Sequence, residues 1–227
     1  RYHIPYTHSG VIASAIAMDK EISKKIFIKN KLNTPKFLTY SYDIKNEDLL
    51  KKINSKLKFP VVVKPLNEGS SVNVYICNKK NIIRTLSLIK QYKKIMIEEF
   101  IGGREIQVAI MGNKKLGAIE LKPKRKFYDY KAKYNANSKT EHIIPVDLSN
   151  KSLKRGMDMA LKAHKTLGCR GVTRSDFKYH KGKFYILELN TQPGMTKLSL
   201  VPEIARYHGL KFIDLLKWII NDASIEK

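Results

Sequence analysis

The chain has 227 residues, 43% of them apolar and 28% charged, which is the composition of a globular protein with one large or two small cores. No run of about 18 apolar residues is present, and the sequence opens at Arg1 without a charged-then-apolar leader, so we expect a cytoplasmic protein without a membrane span. It also opens without an initiator Met, so we expect that residues upstream are missing. Cys77 and Cys169 have no paired spacing and no histidine cluster beside them, which argues against a disulfide framework or a zinc site.

The charge is unusual, because 44 basic residues against 20 acidic residues give a net charge of +24. Such a charge attracts nucleic acid, anionic membranes or polyphosphate ligands. The lysines are spread through nearly every segment, however, and Lys, Ile and Asn are abundant together, as an AT-rich coding genome produces. We therefore expect no nucleic-acid or membrane partner. A basic nucleic-acid-binding module remains the alternative from another class, and it would bind with a steep salt dependence.

The first hundred residues predict an α+β unit. A helical stripe of apolar residues spans positions 11–27, and a second helix is predicted from Asp43 up to Pro60. Strands are predicted at 37–40, 61–63, 74–77 and 95–101, with a helix capped by Asn78 and running to about Tyr92. Residues 64–73 form the loop of a hairpin. Gly102 and Gly103 mark a predicted boundary between lobes at 1–103 and 104–227.

The second half also alternates strands and helices. Strands at 105–111 and 115–121 predict an antiparallel hairpin turning at Gly112-Asn113. Residues 122–140 lack a pattern and are too long for a simple connection, so we predict a functional loop there. Ser149 predicts the N-cap of a helix that Gly168 ends, and strands follow at 169–178 and 183–190. Two helices close the chain.

The strand ending at Asn190 gives the sharpest chemical signal. Its period of two places Glu188 and Asn190 on one face, with Tyr185, Leu187 and Leu189 on an apolar opposite face. Asp176 in the preceding strand joins them only if a bulge or the loop supplies an odd residue count. Three such oxygen donors suit Mg²⁺. An edge strand that shows its carboxylates to water is the alternative.

Two further segments suggest a nucleotide site. Lys64 ends a buried strand before a loop with Ser70 and Ser71, where backbone N–H groups and a lysine can hold phosphate, although no Walker A motif is present. Glu98 and Glu99 lie beside the predicted lobe boundary, and crevices between lobes often hold nucleotides. An ordinary hairpin turn and a solvent-exposed acidic pair are the respective alternatives.

In chain order, five motifs resemble the D-alanine:D-alanine ligase family. They are Tyr6-Thr-His-Ser-Gly10 with Ala17-Met-Asp-Lys20, Lys64-Pro with Glu68-Gly-Ser-Ser-Val72, Phe127-Tyr-Asp-Tyr-Lys-Ala-Lys-Tyr134, Gly168-Cys-Arg-Gly171 with Arg174-Ser-Asp176, and Glu188-Leu-Asn190 with Ser199-Leu200. The resemblance implies an ATP-grasp fold, in which two α+β lobes with mainly antiparallel sheets hold ATP. It also implies ATP-dependent ligation of two D-alanine molecules through an acyl phosphate, for peptidoglycan synthesis.

The resemblance also implies roles for individual residues. Lys20 and Lys64 would contact the ATP phosphates, and Lys133 the γ-phosphate. Adenine and ribose would be held by Glu98, Phe100, Ile101, Glu105 and Phe127. Two Mg²⁺ ions, for which Mn²⁺ substitutes, would be held by Asp176, Glu188 and Asn190. Arg174 and the backbone at Gly194 would stabilise the tetrahedral oxyanion. Ser199 and Leu200 would bind the carboxylate of the second D-alanine. Ser70 and Tyr134 would link the loop to the active site.

The chain departs from the family pattern at two positions. Lys131 stands where the family usually has Glu, and Asn73 stands where it usually has Gly, which bears on loop closure and on phosphate-loop geometry. The family's N-terminal domain would end within residues 1–8, and the full-length protein would be a homodimer. A D-alanine:D-lactate ligase shares most motifs but lacks the Ala-Lys-Tyr pattern. Other ATP-grasp carboxylate–amine ligases share the metal residues and the phosphate lysine.

Overall fold

The first of two antiparallel sheets has four strands. The computed structural model describes residues 3–122 and 140–225. The strands are β1 (Phe37–Ser41), β2 (Val61–Pro65), β3 (Tyr75–Cys77) and β4 (Lys94–Glu99), in the spatial order β1-β4-β2-β3. Helices α3 (Asn46–Lys56) and α4 (Ile82–Leu88) supply residues to a shared apolar core. Strand alternation buries Val61, Val63 and Ile97 in that core and leaves Lys64 and Glu98 on the opposite face.

The second sheet has five antiparallel strands. They are β5 (Arg104–Met111), β6 (Lys114–Lys122), β7 (Glu141–Ile143), β8 (Val172–His180) and β9 (Lys183–Asn190), in the spatial order β7-β6-β5-β8-β9. Helix α5 (Asn150–Thr166) packs on one face, and α6 (Leu200–Tyr207) with α7 (Phe212–Asn221) builds a separate core. Gly156 lets α5 approach closely, because a Cβ there would lie 2.7 Å from the Phe184 ring.

The single helix predicted for residues 11–27 is wrong, because the structure has two helices, α1 (Val11–Met18) and α2 (Lys20–Lys29). Asp19 between them has an extended backbone, and its side chain accepts hydrogen bonds from the N–H groups of Glu21 and Ile22. An aspartate N-cap therefore restarts the helix at Lys20. Residues of both helices, Ala17 and Phe27 among them, lie in the core of the second sheet.

The crossing between the sheets occurs at the glycine pair singled out from the sequence. Gly103 has φ +87°, and a Cβ there would lie 2.3 Å from the Tyr179 carbonyl oxygen, so only glycine fits. The division into lobes at residue 103 stays a prediction. The packing of α1 and α2 with the second sheet joins the start of the chain to the far side of that division.

Several predicted boundaries differ from the structure. The second helix begins at Asn46 rather than Asp43, and α4 begins at Ile82 because the Asn78 side chain forms a turn, accepting from the N–H groups of Lys80 and Asn81. Strand β7 was not predicted. The Ser149 cap is confirmed, since its Oγ accepts from the N–H of Ser152, and Gly168 ends α5 with φ +69°. No helix within residues 3–122 and 140–225 is long and apolar enough to cross a membrane.

Candidate active site

A cleft lies between the two sheets and is lined by residues from both. The lining residues are Lys20, Val62, Lys64, Glu68, Ser71, Val74, Glu98, Glu99, Phe100, Ile101, Glu105, Asp176, Lys178, Leu187 and Glu188. Eight of them are site residues predicted from the sequence, namely Lys20, Lys64, Glu98, Phe100, Ile101, Glu105, Asp176 and Glu188. The structure therefore brings together residues that are up to 168 positions apart.

The wall formed by the first sheet contains a buried charge cluster. The two carboxylate oxygens of Glu98 lie 2.5 Å from Lys64 Nζ and 2.8 Å from Lys24 Nζ. Burial alone would raise the pKa of Glu98, but the charges of Lys24 and Lys64 outweigh it and lower the pKa to about 2. Burial lowers the pKa of Lys24 to about 8, although the charge of Glu98 opposes that shift. Glu98 is thus an anion held between two cations.

Lys24 is a member of this cluster that the sequence interpretation missed. Its Nζ also donates to Thr34 Oγ1 at 2.8 Å, and Thr34 in turn donates to the Ile186 carbonyl oxygen at 2.7 Å. Lys24 on α2 therefore contacts β4 directly and β9 through Thr34. A signal was available, because Lys24 lies four residues after Lys20 on one helix and shares its face.

The second sheet brings the predicted metal residues together through a bulge. Asp176 is the cross-strand partner of Glu188, and Arg174 is the partner of Asn190, because the β8–β9 register shifts between Asp176 and Phe177. The odd residue count that the sequence required is confirmed. The same shift makes two face assignments wrong, and the first is Leu187, which lines the cleft with Glu188 instead of facing away from it.

Below the bulge the alternation of β9 is reversed relative to the prediction. Phe184 and Ile186 are buried in the core under α5, and Leu189 joins them after the bulge. Tyr185, which was assigned to the apolar face, is the half-buried cross-strand partner of Lys178. The extra residue in the bulge moves the core positions of β9 from even numbers, Phe184 and Ile186, to an odd number, Leu189.

Each of the two carboxylates at this pairing contacts a cation. Arg174 donates to both oxygens of Asp176, from Nε at 2.7 Å and from Nη2 at 3.0 Å. Lys20 Nζ lies 3.5 Å from Glu188 Oε2. Burial lowers the pKa of Lys20, and the charge of Glu188 opposes the shift. These contacts balance the negative charge of the sheet surface.

The donor set fits Mg²⁺ by its chemistry. Asp176, Glu188 and Asn190 offer hard oxygen atoms, and Mg²⁺ usually takes one or two carboxylates and completes its shell with phosphate oxygens and water. Within the ranges that the structure describes, no three His, Cys, Asp or Glu side chains converge as a metal cage.

The loop after β2 is held against α2. Lys20 Nζ donates to the Glu68 carbonyl oxygen at 2.5 Å, and Ser71 lines the cleft. Ser70, Ser71 and Asn73 have φ between 53° and 58°, the left-handed region that favours glycine. Asn73 tolerates it better than most residues, and its side chain donates to the Tyr92 hydroxyl and accepts from the Tyr75 hydroxyl. The departure at Asn73 therefore keeps a glycine-like backbone.

The family model described as "D-ala D-ala ligase C-terminus" matches residues 26–221 of the chain. The chain belongs to the D-alanine–D-alanine ligase family. The family prediction made from the five motifs is thereby confirmed.

Relatives within this family cover nearly the whole chain. The D-alanine–D-alanine ligase of Pelagibacter ubique is 66% identical over 224 residues, which is 99% of this chain and 74% of that protein. The D-alanine–D-alanine ligase of Wolbachia pipientis wMel is 44% identical over 234 residues, covering 99% of this chain and 71% of that protein.

Solved structures of this ligase family share the fold. The D-alanine–D-alanine ligase of Bacillus anthracis matches with a TM-score of 0.84 and 35% identity over 96% of this chain and 71% of that one, and its complex with ATP gives a TM-score of 0.80 at 31% identity over 96% and 70%. The VanG D-Ala:D-Ser ligase of Enterococcus faecalis matches with a TM-score of 0.85 and 28% identity over 96% and 65%. The predicted ATP-grasp fold, an α+β fold with antiparallel sheets, is confirmed.

Among the described residues, the other predicted site residues do not line the cleft; they are Ser70, Arg174, Asn190, Gly194, Ser199 and Leu200. Gly194 lies close to Ser199, and a Cβ added at Gly194 would be 3.0 Å from Ser199 Oγ. Ser199 precedes the first residue of α6, Leu200, and its Oγ accepts from the Thr196 N–H at 3.0 Å. The predictions for Phe127, Lys131, Lys133 and Tyr134 fall outside the described residues.

Proposed function

We propose that the chain forms the nucleotide-binding and catalytic part of an enzyme that joins two D-alanine molecules into D-alanyl-D-alanine, with ATP converted to ADP and phosphate. The observation that carries the proposal is the cleft between the sheets, where eight residues with predicted ATP or metal roles line one cavity. The 66% identical ligase of Pelagibacter ubique supports the same substrate. The product would serve peptidoglycan synthesis in the cytoplasm, where ATP is available.

The proposed reaction has two steps. A carboxylate oxygen of the first D-alanine attacks the γ-phosphorus of ATP, and the bond from that phosphorus to the β-γ bridging oxygen breaks, giving ADP and an acyl phosphate. The amine of the second D-alanine then attacks the acyl carbon, loses a proton, and expels phosphate as the amide forms. Lys20 and Lys64 would hold the phosphates, because both ammonium groups line the cleft within reach of one ligand.

The tetrahedral intermediate of the second step carries a negative oxygen. Arg174 and the Gly194 N–H would donate to it, since fixed donors near developing charge lower the barrier. Arg174 already grips a carboxylate with two N–H groups in the structure. The same planar fork suits an oxyanion.

The metal and nucleotide ends of the site complete the proposal. Bound Mg²⁺ would neutralise phosphate charge. Asp176, Glu188 and Asn190 would hold two such ions, with Mn²⁺ as a substitute. Glu98 would accept from the adenine amine and Glu105 from the ribose. Further nucleotide contacts would come from Phe100, Ile101, Phe127 and Lys133.

The second D-alanine would bind at the start of α6. Ser199 and Leu200 would take its carboxylate, because a helix N-terminus presents unpaired N–H groups to an anion. Ser70 and Tyr134 would link a closing segment at residues 122–140 to the site and so exclude water from the acyl phosphate. We further propose lobes at 1–103 and 104–227, and a homodimer for the full-length protein.

Phosphate release by the full-length protein tests the proposed function. Reactions with ATP and Mg²⁺ would contain no amino acid, D-alanine, L-alanine, D-alanine with D-lactate, or D-alanine with D-serine, and mass spectrometry would identify the product. We expect release that requires D-alanine and yields mainly the D-alanine dipeptide. A mixed product with D-serine or D-lactate would reassign the second substrate, and no D-alanine-dependent release from folded protein would refute the proposal.

A further inference from the structure

Lys178 is a cation in the cleft for which the proposed reaction has no role. It lies on β8 two residues after Asp176, so strand alternation turns both side chains to the same face. Its direct partner on β5 is Glu105, and both residues line the cleft. Lys178 Nζ lies 3.1 Å from Glu105 Oε2, with 22% of the lysine side chain and 15% of the glutamate side chain exposed.

The other oxygen of Glu105 also has a donor. Gln107 Nε2 lies 3.4 Å from Glu105 Oε1, and Gln107 is almost fully buried. A carboxylate has about four acceptor positions, so donors on its two oxygens fix its plane and still leave it compatible with a diol. The two side chains therefore orient Glu105 towards the cleft from both sides.

Charge gives Lys178 a second effect. Besides Glu105, the cleft lining contains five carboxylates, those of Glu68, Glu98, Glu99, Asp176 and Glu188. Three of them, Glu98, Asp176 and Glu188, have a cationic partner in the structure. A further uncompensated carboxylate would repel a triphosphate, whereas a Lys–Glu pair has no net charge. Such a pair can accept hydrogen bonds from neutral hydroxyl groups at little electrostatic cost to the phosphates.

We propose that Lys178 is a positioning residue for the ribose of the nucleotide: it orients and balances the Glu105 carboxylate, which accepts hydrogen bonds from the ribose hydroxyls. The inference rests on the proposed function, because it requires ATP in this cleft. It assigns to the Lys178–Glu105 pair the discrimination between nucleotides with and without ribose hydroxyls. Lys178 itself acts through Glu105.

The test compares ATP with 2′,3′-dideoxy-ATP, which lacks both ribose hydroxyls, in the full-length protein. The variants are Lys178→Met, Lys178→Arg and the control Lys183→Met, an exposed lysine at the start of β9. For Lys178→Met we expect the KM for ATP to rise about tenfold with kcat within about twofold, since one charge-assisted hydrogen-bond network is lost. The KM for the dideoxy nucleotide should change less than about threefold, and Lys178→Arg should restore most of the discrimination.

Equal weakening of both nucleotides by Lys178→Met would overturn the inference, because Lys178 would then act on the phosphates or on the fold. No change with either nucleotide would also overturn it. Calorimetric titration of the same variants with both nucleotides separates this inference from the ligase assignment. Preserved ribose discrimination in a protein without D-alanine-dependent turnover refutes only the proposed function, and a wild-type protein that does not bind ATP refutes both.

Discussion

Both walls of the cleft contain Lys–Glu ion pairs, but the pairs differ in how far they are exposed to solvent. On the first sheet, the Glu98 carboxylate is only 4% exposed and contacts two ammonium groups, one of them that of Lys24 on α2, whose side chain is 0% exposed. On the second sheet, Glu188 is 32% exposed and its contact with Lys20 is 3.5 Å long. Buried charges are costly to separate, whereas partly exposed ones exchange partners with water and ligands. The Glu98 pairs are therefore held in a fixed arrangement, whereas Glu188 on the second wall can exchange Lys20 for water or a ligand.

The largest effect should follow from breaking the buried cluster. Glu98→Gln keeps the side-chain shape but leaves the ammonium groups of Lys24 and Lys64 without their carboxylate. We expect the free energy of unfolding to fall by about 3–5 kcal/mol, measured by denaturant titration. Glu99→Gln, the next residue on the strand and half-buried, is the control. A loss below about 1 kcal/mol would show that the cluster does not stabilise the fold.

The same variant gives a pH test with a defined sign. The folded-state pKa of Glu98 is lowered from 4.5 to about 2, so its stabilising contribution is present above pH 4.5 and is lost as the pH falls towards 2. The stability difference between wild type and Glu98→Gln should therefore narrow across this window. A difference that stays constant from pH 5 to pH 2.5 would contradict the assignment.

The second wall should show the opposite balance between stability and activity. Glu188→Gln changes a partly exposed carboxylate, so we expect less than about 1 kcal/mol change in unfolding free energy. D-alanine-dependent phosphate release should fall about 100-fold, because a metal ligand near the phosphates is weakened. Glu141→Gln, on exposed β7, is the matched control. Near-normal activity with a large stability loss would mean that Glu188 stabilises the fold and is not needed for the reaction.

The smallest effect is expected one residue away from Lys24. Lys25 pairs with Glu21 at 2.7 Å, but its side chain is 65% exposed. Lys25→Ala should change the unfolding free energy by no more than about 0.5 kcal/mol and leave activity intact. Thermal and chemical denaturation with a turnover assay check both points. A loss of unfolding free energy as large as that of Glu98→Gln would mean that burial does not determine how much an ion pair contributes to stability.

Sequence reasoning recovered the strands and the chemical faces where alternation is regular. It set the condition for joining Asp176 to Glu188, but it could not say where the bulge lies, and the faces of Tyr185 and Leu187 were therefore wrong. Lys24 was missed because a lysine within a helical stripe is normally solvent-exposed. Its burial depends on partners that are distant in sequence, Glu98 and Thr34, and only the folded chain reveals them.

Of the two helix N-caps formed by side chains at Ser149 and Asp19, the sequence predicted only one. Ser149 was identified as a cap, but Asp19 was not, because the apolar stripe continues through it in phase. The break at Asp19 matters for the site, since it makes Lys20 the first residue of a new helix. Strand β7 has only three residues, too few for alternation to be detected.

The pairing of β6 with β7 fixes both ends of the chain segment between Lys122 and Glu141. Lys122 at the end of β6 and Glu141 at the start of β7 are cross-strand partners, so the chain leaves and re-enters the sheet at one point on its edge. The entropy of closing a chain segment between fixed, adjacent ends grows slowly, by about 0.6 kcal/mol for each doubling of its length. A change in the number of residues between these two anchors would therefore change the free energy of unfolding only slightly. The length of this segment can therefore change in evolution at little cost to the stability of the rest of the molecule.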